Sequence, residues 1–178
     1  METPQIPNSK FDWDAPTSLD QLLNDVLKIQ QFPDLLAKVL RNIQDEHLAY
    51  KYRKGGWNIA QIVHHLADAH LNAFIRTKHI LAQDTDSIQP YDENKWAEMV
   101  DYTFPLESSV IMILGVHQRW SLLLLDALKN PVTELVKTLP HPESKRNVSL
   151  SDLIRLYAWH GEHHLSQILQ AMNNPVVE

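Results

Sequence analysis

The chain predicts an all-α protein, a four-helix bundle with long crossover connections. Three observations lead there. Apolar residues recur at three-and-four spacing in four long stretches, and three of these open on a capping residue with a partner three positions on. The alternating β-branched runs that a sheet needs are missing. Only 4 glycines are present for hairpin turns or phosphate-cradling loops, and no GxGxxG or Walker-type pattern occurs.

The 178 residues fit one domain, divided here into an N-terminal arm (1–17) and a bundle (18–178). Ser18 with Gln21 forms a capping box that opens the first helix, and Leu19, Leu22, Leu23, Val26 and Leu27 begin its apolar stripe. Pro33 lacks an N–H, so the element from Ser18 to Gln44 reads as a broken helix. Gly55-Gly56 gives a flexible entry to a second helix capped by Asn58 with Gln61, running from Ile59 to about Ala82. Gln83 to Pro105 reads as an ordered crossover with one short helix, packed by Tyr91, Trp96 and Met99. Leu106 to Leu128 is the third helix, bounded by Pro105 and Asn130-Pro131. Pro131 to Asn147 reads as a second long connection, after which Ser149 with Asp152 caps a fourth helix that ends near Met172.

Composition removes whole classes of function. With 16 Lys and Arg against 22 Asp and Glu, the formal charge of -6 repels phosphate backbones and anionic lipid, which argues against nucleic acid and membrane as partners. The absence of cysteine removes disulfides, thiolate ligands and a cysteine nucleophile, so any metal must be held by His, Asp or Glu. No basic stretch followed by an apolar run opens the chain, and about 18 consecutive apolar residues occur nowhere, so the expected location is cytoplasmic.

Of the 10 histidines, two groups stand out: His64, His65 and His70 on the second helix, and His160, His163 and His164 on the fourth. His160 and His164 are spaced i, i+4 and share a helix face, the spacing of paired histidine ligands; a third imidazole from a facing helix would complete a site. Relative to the apolar stripe of the fourth helix, His164 lies about 50° away, His160 about 90° and His163 about 150°, which excludes His163. On the second helix periodicity leaves the choice between His65 and His70 open. His47, His79, His117 and His141 read as hydrogen-bonded core or boundary residues.

The run from Gly55 through Asp68, the segment Ile88-Gln89-Pro90-Tyr91-Asp92, His117-Gln118-Arg119-Trp120, and Tyr157 through His164 together resemble the DinB superfamily. The resemblance is closer to its YfiT-type branch, described as metal-dependent hydrolases and including bacillithiol transferases. It implies a bundle with one divalent ion per chain, zinc first and nickel as the alternative, held by His65, His160 and His164. It also implies a homodimer. The sequence departs from the pattern at Gly161-Glu162, where close relatives carry Ser-His.

Asp68, three residues after His65, is a candidate carboxylate beside the metal or an imidazole, the alternative being a solvated or capping carboxylate. Trp57 is expected to pack the bundle end. Arg76 and Arg119 are candidates for gripping a substrate carboxylate, with surface ion pairs as the alternative use. Three neutral imidazoles leave an ion with an open position that acidifies what it binds: water for hydrolysis, or a low-molecular-weight thiol for S-transfer to a small electrophilic substrate. The expectation favours S-transfer, with hydrolysis and a non-enzymatic, metal-stapled binding module as alternatives.

Overall fold

The computed structural model describes residues 10–142 and 145–176. Four long helices form the body: α1 (Leu19–Leu40), α2 (Ile59–Ala82), α4 (Glu107–Ala127) and α6 (Leu150–Asn173). Between them lie short helices α3 (Glu93–Trp96) and α5 (Pro131–Glu134), two 3-10 turns (Asp45–Ala49 and Val100–Thr103), and a hairpin of β1 (Thr138–His141) and β2 (Arg146–Ser149). α1 and α2 each pack on both α4 and α6, so α1 faces α2 across the bundle's diagonal. At 21 residues α4 is long and apolar enough by composition to cross a membrane, and here its Ile113, Trp120 and Leu124 fill the bundle core.

The three expected capping boxes are all formed. Ser18, Asn58 and Ser149 each accept the backbone N–H three residues on, and Gln21, Gln61 and Asp152 accept in return. α1 departs from expectation, because it runs through Pro33 unbroken and stops at Leu40. Proline removes one helical hydrogen bond, that to the carbonyl of Ile29, and His117 Nδ1 from α4 takes the vacated acceptor at 2.5 Å. Tertiary packing thus compensates the break that the local rule predicts.

The hairpin is a second correction, since the segment from Pro131 to Asn147 reads in sequence as an irregular connection. Its strands are only 4 residues each, too short for periodicity to register. The antiparallel pairing sets Leu139 opposite Val148, both buried, while Pro140 uses its carbonyl to accept Ile88 N–H at 2.9 Å. The hairpin is thereby tied to the first crossover. On the other side, the described part of the N-terminal arm is held to α6, where Arg155 donates to the carbonyls of Asp12 and Trp13.

The core has two apolar halves. One gathers Leu22, Val26, Ile29, Trp120, Leu153 and Ile154; the other gathers Phe32, Leu36, Ile62, Leu66, Ile113 and Ile168. On each long helix the crossing from one half to the other is marked by a histidine or by Pro33: His65 and His70 on α2, His117 on α4, His160 and His164 on α6. A polar layer therefore crosses the bundle.

Packing at this layer is tight around Gly161. A Cβ added there meets Phe32 Cδ2 at 2.8 Å, whereas one added at Gly115 meets nothing within 4 Å. Phe32 stacks on His117 with ring centroids 5.4 Å apart and cannot withdraw freely. Gly161→Ala is therefore expected to destabilise the protein, overpacking of about 1–3 kcal/mol outweighing about 1 kcal/mol gained in helix propensity. Gly115→Ala is expected to stabilise by roughly 1 kcal/mol, since only the propensity term acts. Urea unfolding of both variants checks the opposite signs.

Candidate metal centre

His65 comes from α2, and His160 and His164 from successive turns of α6. One ring nitrogen from each lies within 4.8 Å of the other two, the group among the described residues whose ligand atoms suit a metal ion. His65 Nε2 and His160 Nε2 stand 3.2 Å apart. Two nitrogens bound tetrahedrally to one zinc ion at about 2.0–2.1 Å are separated by about 3.3 Å, so the spacing fits a shared ion. His164 Nδ1 pairs with Gln167 Oε1 at 2.8 Å; because the amide oxygen only accepts, Nδ1 carries the proton and Nε2 keeps its lone pair. Gln167 is in turn placed by donating to His163 Nε2 at 2.9 Å.

Burial governs the electrostatics. It holds the His65 imidazole down to about 4, and with neighbouring imidazoles it holds His160 and His164 well below the usual histidine range. All three are neutral at pH 7, the state a metal requires. Trp57 does more than pack the bundle end: its ring lies 4.5 Å from that of His65 and 6.3 Å from that of His164.

His163 lies outside the triad, stacked on Trp159 with centroids 4.7 Å apart and touching the His164 ring edge-on. His70 is buried and bonds His160 without joining the triad. His64 donates from Nε2 to the Phe104 carbonyl at 3.1 Å and accepts Ser109 Oγ–H at Nδ1, 2.8 Å, so both ring nitrogens are engaged elsewhere.

Asp68 requires correction as an imidazole partner. Its Oδ2 accepts the Tyr102 hydroxyl at 2.8 Å, it lines a separate cavity with His64 and Ser109, and His65 Nδ1 is left with no partner. The three-residue step turns Asp68 about 60° from His65 around the helix, toward the crossover instead of α6.

Arg76 is brought to the histidines and Arg119 is not. A cavity of about 200 Å³ is lined by His65, His160, Arg76, Tyr91, Glu93 and Tyr157. Arg76 donates from Nη1 to Tyr157 Oη at 3.2 Å and from Nη2 to the Gln89 carbonyl at 3.0 Å, while its buried Nε has no partner. Arg119 lies on the exposed side of α4 over the Phe74 ring, 5.3 Å from its centroid. Sequence reasoning missed Gln167 and Glu93. Gln167 stands three residues after His164 on the same helix and was open to the reasoning applied to Asp68.

The family model of the DinB superfamily matches residues 28–168. The chain belongs to the DinB superfamily. It is 40% identical over 165 residues to a "Putative metal-dependent hydrolase" of Oceanobacillus iheyensis, covering 92% of this chain and 93% of that one. A Bacillus cereus protein of the same description is 35% identical over 168 residues, with 94% and 95% covered. Among solved structures, YfiT from Bacillus subtilis, "a probable metal-dependent hydrolase with an unusual four-helix bundle topology", superposes with a TM-score of 0.83 at 30% identity over 94% of this chain and 95% of that one. The expected superfamily and bundle are thus both found.

Two measurements test the site. Elemental analysis of untagged protein should find about one divalent ion per chain in the wild type and in His163→Ala, and little in His160→Ala or His164→Ala. Equal loss in all three variants would refute the assignment. Stability of the metal-free protein should fall as pH drops below about 6.5, because the unfolded chain then takes up protons that the buried imidazoles refuse. Each of His65, His70, His117, His160 and His164, all held low chiefly by burial, contributes up to about 1.4 kcal/mol per pH unit until its folded-state value is reached, about 4 for His65 and His117. A urea midpoint unchanged between pH 7 and 5 would contradict this.

Proposed function

We propose that the protein is a metal-dependent enzyme that binds one divalent ion, zinc in the first instance, through His65, His160 and His164 and acts on a small acidic molecule in the adjoining cavity. The convergence of three neutral imidazoles, two of which (His65 and His160) line a cavity that also holds Arg76, carries this reading. An ion with three neutral nitrogen ligands and an open position supplies Lewis acidity to whatever donor the substrate presents.

The chain's own residues supply the rest. Arg76, braced by Tyr157 and the Gln89 carbonyl and set against the Tyr91 ring, offers its guanidinium to a carboxylate of the substrate. Trp57 covers two of the imidazoles and limits the approach of water from that side. Glu93 stands on the cavity wall, its carboxyl raised above the usual range by burial and by Asp92, suited to exchanging a proton with bound substrate.

The first reading of the reaction is transfer of a low-molecular-weight thiol to an electrophile. Its support is that a cysteine-free chain must draw a sulfur nucleophile from outside, into a site with no cysteine to compete for the metal. Hydrolysis is the second reading, favoured by the description of the relatives and by Glu93 as a base. As further proposals, the protein works as a cytoplasmic homodimer with a small-molecule substrate and without nucleic acid or membrane.

Metal-loaded protein assayed with cysteine or glutathione and an alkylating chromophore, beside a panel of esters and amides without thiol, separates the readings. Turnover requiring both metal and thiol is expected; metal-dependent cleavage without thiol would establish hydrolysis instead. Inactivity in every arm would favour a binding module. Arg76→Met should raise KM for an acidic substrate by about 10–100-fold, the worth of a hydrogen bond to a charged group, with metal content unchanged.

A further inference from the structure

The histidines outside the triad form an ordered chain. Ile29 is the carbonyl that Pro33 leaves without a helical donor, and a carbonyl can only accept. His117 Nδ1, at 2.5 Å, must therefore carry the proton, which makes His117 Nε2 an acceptor. His70 Nδ1 lies 2.7 Å from that nitrogen and must donate to it, leaving His70 Nε2 as an acceptor in its turn. His160 Nδ1 lies 3.1 Å from His70 Nε2 and must donate, so the lone pair of His160 falls on Nε2, the nitrogen that faces His65. The alternative pattern for this chain, with every proton on Nε2, sets the His117 Nδ1 lone pair against the Ile29 carbonyl oxygen and is excluded by repulsion.

We propose that His117 and His70 are positioning residues that transmit the acceptor character of the Ile29 carbonyl to His160, holding its Nε2 unprotonated and aimed at the metal. The inference rests on the metal reading above for its purpose, while the tautomers are a property of the metal-free protein. A free imidazole in water favours the proton on Nε2, the wrong nitrogen for this site; the relay removes that preference before an ion arrives. His70 and His117 are buried, and Phe32 lies against both rings at centroid distances of 5.2 and 5.4 Å, so neither can turn over without disturbing the layer. His65, by contrast, has no partner at Nδ1.

The test is two-fold. Long-range 15N–1H correlation spectra of the metal-free wild type should show His117, His70 and His160 all protonated at Nδ1; protonation of any of the three at Nε2 overturns the proposal. Metal affinity, measured by chelator competition, should fall about 10–100-fold in His117→Phe and in His70→Leu, the usual cost of losing a partner behind a ligating histidine. His70→Gln should stay within a few-fold of wild type, because its amide oxygen still accepts from His160. In that background His117→Phe should cost nothing further, a non-additivity that general loosening of the core does not produce. Equal losses from His117→Phe with and without His70→Gln would overturn the relay. A wild type that shows the stated tautomers yet binds no metal would instead refute the metal reading, and with it the relay's purpose.

Discussion

One hydrogen-bonded line passes through all four long helices: from the Ile29 carbonyl on α1 to His117 on α4, His70 on α2 and His160 on α6. It runs along the boundary between two apolar cores, where buried polar groups are costly unless each has its partner. Every link is complementary to the next, so the helices are locked in one register relative to one another. A slip of one turn on any helix would strand an imidazole in a dry interior. The apolar halves supply the drive to collapse, and the polar layer selects which of many bundle packings is the native one.

The same layer explains why the candidate metal centre sits where it does. His160 is the last member of the line and the first of the triad, and α6 supplies His164 one turn later. The site has two kinds of support, an imidazole chain behind His160 and an amide behind His164, both acting on Nδ1 to free Nε2. His65 is cushioned by an aromatic face and has no polar partner behind it.

What was legible in the sequence is what local rules control. The caps at Ser18, Asn58 and Ser149 and the apolar stripes mark the long helices because they act within one or two turns. Pro33 was misleading for the complementary reason: His117, which takes the freed carbonyl of Ile29, lies 88 residues beyond Ile29 on α4. Two four-residue strands escape a pattern search that needs length. Helical angles separated His163 from His160 and His164, yet they could not choose between His65 and His70, since both are buried and differ only in which neighbour they meet. Asp68 shows the same limit, its spacing from His65 being right and its partner being Tyr102.

The walls of the cavity come from two sources. His65, His160, Arg76 and Tyr157 stand on long helices, whereas Tyr91, Glu93 and His141 belong to the crossover and the hairpin joined by the Ile88 to Pro140 hydrogen bond. The two sets of wall residues thereby stand on parts of the chain with different tolerance for change. Helical positions are bound by the register of the polar layer, while the connections can vary in length and side chain without disturbing it. Loop variation at Tyr91, Glu93 and His141 can therefore reshape one side of the cavity while the helical side, with Arg76 and the histidines, keeps its geometry.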